Sequence, residues 1–257
     1  MNNILRILSY NLQVGIKTSQ PSHYITGSWK HLIPHTQRLT NLDATISFMK
    51  MYDIVGLQET DAGSLRSNYI NLTEYLADKA SFPHWYHQVN RNFGHLAKHS
   101  NGLLSRIKPY EVENIRLPGL IPGRQAILAK YGSEKETLAV FVLHLALSKR
   151  ARLRQLSIIS EKVNQYEHAI VMGDLNCKLD SFEMQHLFKQ TKLCDVVETH
   201  AKTEPLYTFP SWLPQHHIDH ILVTSELEVI KVKPVNHICS DHLPIMMEVK
   251  LPDSLVI

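Results

Sequence analysis

Cysteine is scarce in this chain. Cys177, Cys194 and Cys239 are the only three in 257 residues, and no pair has Cys-x-x-Cys spacing. An odd, scattered set excludes a disulfide framework and a thiolate metal ribbon, so a reducing compartment is the default expectation. Charge of one sign is also lacking: 27 Lys and Arg face 24 Asp and Glu, a net +3. That balance does not by itself imply a polyanionic partner. Long apolar runs are missing too. Met1-Asn2-Asn3-Ile4-Leu5-Arg6-Ile7-Leu8 carries a charge and runs straight into Ser9-Tyr10-Asn11. It reads as neither signal peptide nor membrane span, and the expectation is a cytoplasmic protein without stable membrane insertion. No Gly/Ser/Pro-rich linker, low-complexity tract or repeat divides the chain, so one domain over residues 1–257 is expected.

What is present is a 44% hydrophobic composition, enough for a substantial core, arranged as alternating strand-like and helix-like segments. Ile4 to Tyr10, Ile54-Val55-Gly56-Leu57, Gly102-Leu103-Leu104 and Ala126 to Ala129 read as strands in the first half. Leu39, Leu42, Ile46 and Met49 mark one helical face, and Tyr69, Leu72, Leu76 and Ala80 a second. Leu138 to Leu145, Ala169 to Met172, Ile218 to Val223 and Ile245 to Val249 are strands in the second half, with a helical stripe at Leu153, Leu156, Ile159 and Val163. This pattern predicts an α/β (α+β) fold of two packed sheets flanked by helices, with polar residues gathered just beyond strand ends.

Those polar residues carry the chemistry. Asn11 follows Ile7-Leu8-Ser9-Tyr10 and Glu59 follows Ile54 to Gln58, an amide and a carboxylate suited to one hard cation, with magnesium the natural choice. Turn opening by Asn11 and helix capping by Glu59 are the structural alternatives. His144 interrupts an apolar strand and needs a partner if buried. In Gly173-Asp174-Leu175-Asn176 an extended chain would turn both polar side chains to one side. Asp219 interrupts Ile218 to Val223, and an imidazole from His242 in Ser240-Asp241-His242-Leu243-Pro244 would satisfy it. Asp241 adds a further carboxylate, although this segment also reads as a cap before Pro244.

Taken in order, Ser9-Tyr10-Asn11, Leu57-Gln58-Glu59, His144-Leu145, Gly173-Asp174-Leu175-Asn176, Ile218-Asp219-His220 and Ser240-Asp241-His242-Leu243-Pro244 resemble the endonuclease/exonuclease/phosphatase superfamily over nearly the whole chain. The resemblance implies a deoxyribonuclease I-like four-layer αββα sandwich, with two mixed sheets face to face and helices outside. It also implies hydrolysis of a phosphoester by water with a divalent metal, magnesium or manganese in its place. By that resemblance Glu59, Asn11 and Asp241 would be metal ligands, and Asp174 would orient or deprotonate water. Asn176 and His144 would grip phosphate, and His242, held by Asp219, would stabilise charge or protonate the leaving oxygen.

The substrate stays open at this level. Asn101, Arg124 and Arg106 are candidates for substrate contact, with structural ion pairing the alternative for the arginines. Lys149-Arg150-Ala151-Arg152-Leu153-Arg154 admits nucleic acid, but Leu153 fits the helix core stripe and a solvated helical face is the expectation; Tyr207 to Trp212 places aromatics near the expected mouth, with packing against neighbouring loops the alternative. A phosphodiesterase on nucleic acid, a phosphatase or phospholipase-like enzyme on a small phosphorylated or lipid head group, and a binding protein on the same scaffold remain as readings.

Overall fold

Period-two segments rich in Ile, Val and Leu build the twelve strands found among the described residues. The computed structural model describes residues 3–15, 37–119, 123–196 and 206–257. The side chain of Leu39 lies outside them. The strands are β1 (Ile4–Asn11), β2 (Ile54–Asp61), β3 (His84–Asn92), β4 (Lys98–Ser105), β5 (Glu111–Arg116) and β6 (Gln125–Gly132). They continue as β7 (Thr137–His144), β8 (His168–Asp174), β9 (Leu193–Asp195), β10 (Asp219–Thr224), β11 (Glu228–Pro234) and β12 (Ile245–Lys250).

These strands form two six-stranded sheets, in the orders β11-β12-β1-β2-β4-β3 and β5-β6-β7-β8-β10-β9. Each sheet holds one parallel pair at its centre, β1 with β2 and β7 with β8, among antiparallel neighbours. The facing surfaces interdigitate Ile7, Ile54 and Leu103 from the first sheet with Ile127, Val142, Ile170, Met172 and Ile221 from the second. On the outer face of the first sheet, Leu8, Val55 and Leu57 meet Leu42 and Met49 of the helix Gln37–Met49 and Leu72 and Leu76 of the helix Leu72–Ala80. On the outer face of the second, Phe141 and Val171 meet Leu156, Ile159 and Val163 of the helix Lys149–Val163 and Met184 and Leu187 of the helix Phe182–Gln190. The result is the expected four-layer αββα sandwich.

Local chemistry explains the element ends. Asn71 accepts from the backbone N–H of Thr73 and Glu74 to start one helix, and Ser148 accepts from Ala151 to start another. Tyr69 stands outside its expected helix: its φ is 61° and it is exposed, because the chain makes a left-handed turn before the Asn71 cap. The parallel pairs matter most for function. Strands that run together end together, so their carboxyl ends deliver side chains to one rim.

Candidate active site

β1 ends at Asn11, β7 at His144 and β8 at Asp174, and the register sets His144 beside Asp174 and Asp174 opposite Asp219, the first residue of antiparallel β10. Gly173 allows the close approach that this rim needs. Its φ is +143°, and a Cβ there would sit 2.0 Å from the Leu143 carbonyl oxygen. Glu59 enters from the other sheet at an irregularity in the β2–β4 pairing between Leu57 and Thr60, where its own φ of 52° turns its side chain away from the ladder alternation. β12 runs antiparallel to β1, with Ser9 opposite Ile245, which sets Asp241 and His242 just beyond the end of β1.

The side chains converge. Asn11 Nδ2 donates to Asp174 Oδ2 at 3.1 Å, and its Oδ1 accepts from Gln13 N at 3.1 Å. Asn11 also hydrogen-bonds the Glu59 side chain. His144 Nε2 lies 3.6 Å from Asp174 Oδ2 and 3.9 Å from Glu59 Oε1. His242 Nδ1 donates to Asp219 Oδ2 at 2.8 Å, while its Nε2 faces Asp174 Oδ2 at 4.0 Å and Asp241 Oδ1 at 3.9 Å. Thr208 donates its hydroxyl to the same Asp219 oxygen. Asp174, Asp219 and His242 thus present ligand atoms within 4.8 Å of one another.

Asp174 and Asn176 do not lie along one extended chain as expected. β8 stops at Asp174, Asn176 has φ 53°, and its N–H turns back to Asp174 Oδ1 at 2.9 Å. Its side-chain Nδ2 donates to the Leu145 carbonyl at 3.0 Å, tying the end of β8 to the end of β7.

Glu59, His144, Asp174, Asn176, Asp241 and His242 line a cavity of about 590 Å³, with Asn11, Thr208 and Asp219 buried behind them. Its opposite wall is Asn90, Arg91, His99, Ser100 and Arg124, and Leu147, Phe209 and Ile218 form an apolar rim. Phe209 leans on His242 with ring centroids 4.8 Å apart. Asn101 does not line the cavity. It is fully buried beneath that wall, where its Oδ1 accepts from Asn90 and its Nδ2 donates to the Gln125 carbonyl, so it supports Asn90 rather than facing a ligand. Arg124 does line it, donating to the His144 carbonyl, while its Nε is buried without a hydrogen-bond partner among the described residues. Arg106 is turned elsewhere: it donates to the carbonyls of Tyr52, Ser81 and Lys50 and stacks on Phe82, and it does not line the cavity. In the basic helix Arg152 is paired with Glu183 and none of residues 149–154 lines the cavity.

Electrostatics sort the groups into roles. Burial, then Asp219 and Glu59, pushes Asp174 up to about 7, opposed by His242. Burial alone would depress His242, but Asp219, Asp174 and Asp241 overcome it and hold its pKa at about 10. Burial drives His144 well below the usual histidine value, with Arg124 and His242 adding to the effect, so it is neutral near pH 7. Burial and then Asp241 raise Glu59 above the usual carboxylate range. Burial lifts Cys177 to about 12, which makes it an inert thiol beside the site.

Asn90, Arg91 and His99 went unnoticed in the sequence. Asn90 and Arg91 sit on the polar edge strand β3 and His99 on the polar start of its neighbour β4, where no apolar pattern or motif marks them. His99 is fixed from behind by Arg66, whose Nη1 donates to its Nε2 at 3.2 Å, and Arg66 is itself buried against Asp61.

Comparison with known proteins accords with this geometry. An endonuclease/exonuclease/phosphatase family protein from Bacteroides thetaiotaomicron is 17% identical, with 96% of this chain and 97% of that one covered at a TM-score of 0.73. A mannosyl-6-phosphatase from the same organism is 16% identical, with coverage of 96% and 100% and a TM-score of 0.74. A D. rerio TDP2 in complex with single strand DNA product is 19% identical, with coverage of 96% and 99% and a TM-score of 0.70. At such identities the likeness is one of fold. No curated protein matches the chain by sequence. The Endonuclease/Exonuclease/phosphatase family profile, however, matches residues 8–242, from the core of β1 to the histidine held by Asp219, and to that family this chain belongs.

Proposed function

We propose that this protein is a magnesium-dependent phosphoester hydrolase, and that its substrate is a small phosphorylated compound. One observation carries the hydrolase reading: Glu59, His144, Asp174 and His242 are linked by separations of 3.6 to 4.0 Å in a single cavity, where the two imidazoles are tuned in opposite directions, His242 up and His144 down, beside a carboxyl raised to about 7.

A divalent metal fits the donors present. Glu59, Asp241 and Asn11 offer carboxylate and carboxamide oxygens, the ligands hard cations prefer, and Asp241 raises the cost of ionising Glu59, a repulsion that a cation offsets. When bound there, the ion would supply Lewis-acid stabilisation of charge on the phosphoryl oxygens.

The chain's own groups do the remainder. Asp174, with a pKa of about 7, is poised to accept a proton from water near neutral pH. Its Oδ2 and Oδ1 are held by Asn11 and by the N–H of Asn176, which aims the carboxylate. His242 is a cation fixed by Asp219, so at pH 7 it acts as a charge stabiliser at the developing oxyanion rather than as a ready proton donor. Neutral His144 and the second amide hydrogen of Asn176 supply uncharged donors to phosphate. Arg91 and Arg124 on the facing wall add the positive charge that a phosphate dianion needs.

The absence of the basic helix from the cavity lining supports a small substrate over a long polynucleotide. The mannosyl-6-phosphatase that shares the fold is consistent with that choice.

The test is a substrate panel under magnesium, manganese and chelator: phosphorylated sugars, inositol phosphates, sphingomyelin, plasmid, abasic duplex and single-stranded RNA. Turnover of phosphorylated small molecules in metal, lost with chelator and cut on the order of 10³-fold in Glu59→Ala, is expected. Turnover of polynucleotides alone would overturn the substrate class. No turnover at all, with Glu59→Ala binding every ligand like wild type, would overturn the enzyme.

A further inference from the structure

Behind Asp219, on the side away from the cavity just described, lies a second convergence of ligating groups. Asp195 at the end of β9, His217 just before β10 and His220 within β10 each place one ligand atom within 4.8 Å of the others. Asp195 and His220 are inaccessible to solvent, whereas His217 opens on a separate cavity of about 370 Å³ that it shares with Asp180, Tyr207 and Gln215.

Proton accounting makes this cluster unusual. His220 Nε2 lies 2.9 Å from the Cys177 carbonyl oxygen, which can only accept, so Nε2 carries the hydrogen. In that tautomer the Nδ1 lone pair points at Asp195 Oδ2, 3.2 Å away. Two acceptors at that separation call for a cation or an added proton between them. The His217 ring stands 4.2 Å from the His220 ring at a tilt of 31°, and it hydrogen-bonds the backbone of Asp219. Burial lowers the His217 pKa to about 4, which keeps that imidazole neutral and its lone pair available.

An imidazole with one nitrogen held by a backbone carbonyl and the other turned inward is the outer arrangement that accompanies metal ligation. The 3.2 Å between His220 Nδ1 and Asp195 Oδ2 also suits it, since donors on bonds of 2.0–2.1 Å around a tetrahedral zinc stand about 3.3 Å apart, and a ligating nitrogen of His217 lies within 4.8 Å of both. We propose that Asp195, His217 and His220 form a binding site for a zinc-class transition metal, with solvent from the adjoining cavity as the fourth ligand. Its nitrogen-rich donor set differs from the oxygen set at Glu59 and Asp241, so the two sites select different ions. Its place gives it a purpose. Asp219 lies between His217 and His220, and Cys177 directly follows Asn176, so a bound ion fastens the strand start that holds His242 to the turn that aims Asp174.

The experiment is Co(II) and Zn(II) titration of chelator-stripped protein with magnesium in excess, followed by visible absorption and by bound-metal stoichiometry. One equivalent of Co(II), with the intense d–d bands of a four-coordinate site, is expected in wild type and undiminished in Glu59→Gln. In His217→Gln the affinity is expected to fall on the order of 100-fold. His217 is partly exposed, and a thermal midpoint of stripped His217→Gln matching that of stripped wild type establishes that the variant folds; His217→Asn and the wild-type stoichiometry carry the test otherwise. No uptake by wild type, uptake abolished by Glu59→Gln, or uptake unchanged in the folded His217 variant would each overturn the site.

Discussion

His242 donates from Nδ1 to Asp219 Oδ2 at 2.8 Å, and this bond decides both the tautomer and the charge of the imidazole that faces Asp174. With its pKa held at about 10, against 6.5 ordinarily, the proton on His242 contributes stability that is complete below pH 6.5 and is lost as the pH rises through about 10. Asp219→Asn is therefore expected to be less stable than wild type at pH 6, with the gap narrowing towards pH 10.5. Denaturant unfolding of metal-stripped protein across that range measures it. The same variant should lose on the order of 10²-fold or more in kcat, since the ring is no longer a fixed cation.

Asp174 is shifted upward as well, but here the charged form is the one disfavoured. Its folded pKa of about 7 stands above the ordinary 3.8, so its ionisation destabilises the fold progressively above pH 3.8, in full beyond pH 7. Asp174→Asn is expected to raise the thermal midpoint of stripped protein at pH 8 and to leave it nearly unchanged at pH 4. Activity should fall about 10³-fold with little change in KM. A calorimetric scan at the two pH values, paired with steady-state kinetics, checks both.

Arg124 supplies positive charge to the cavity while donating to the His144 carbonyl. Arg124→Ala should raise KM about 10- to 100-fold, the worth of a hydrogen bond to a charged group. Initial-rate kinetics against the best substrate of the panel would show it, and an unchanged KM would remove Arg124 from the phosphate wall.

Gly173→Ala places a methyl group 2.0 Å from the Leu143 carbonyl at a φ of +143°. Strain and forced separation of β7 from β8 are expected to cost about 2–5 kcal/mol. Urea unfolding measures that loss, and the carboxylate beside the substitution should lose activity with it.

The buried centre of each sheet was legible in the sequence, and the edges were not. β7 and β8 are covered on both faces, so Leu138 to Leu145 and Ala169 to Met172 read as plain apolar runs. β3, β5 and β11 carry His, Arg, Glu and Lys at the rim, where one face meets solvent, and they offered no such run. The cavity divides the same way. Glu59, His144, Asp174 and His242 lie at the ends of apolar segments and stood out. Arg91 and His99 sit among other polar residues, and only the pairing of β3 with β4 brings them to the wall. Asn101 misled because its motif is visible while its direction is not: its amide is spent on Asn90 and on the Gln125 carbonyl.

β1 is clasped between β2 and β12, so the opening strand waits for a neighbour made more than two hundred residues later. During synthesis the ribosome releases Asn11 and Glu59 long before Asp241 and His242 exist. The nascent polypeptide accordingly lacks one side of the cavity until the last described strand pairs with the first.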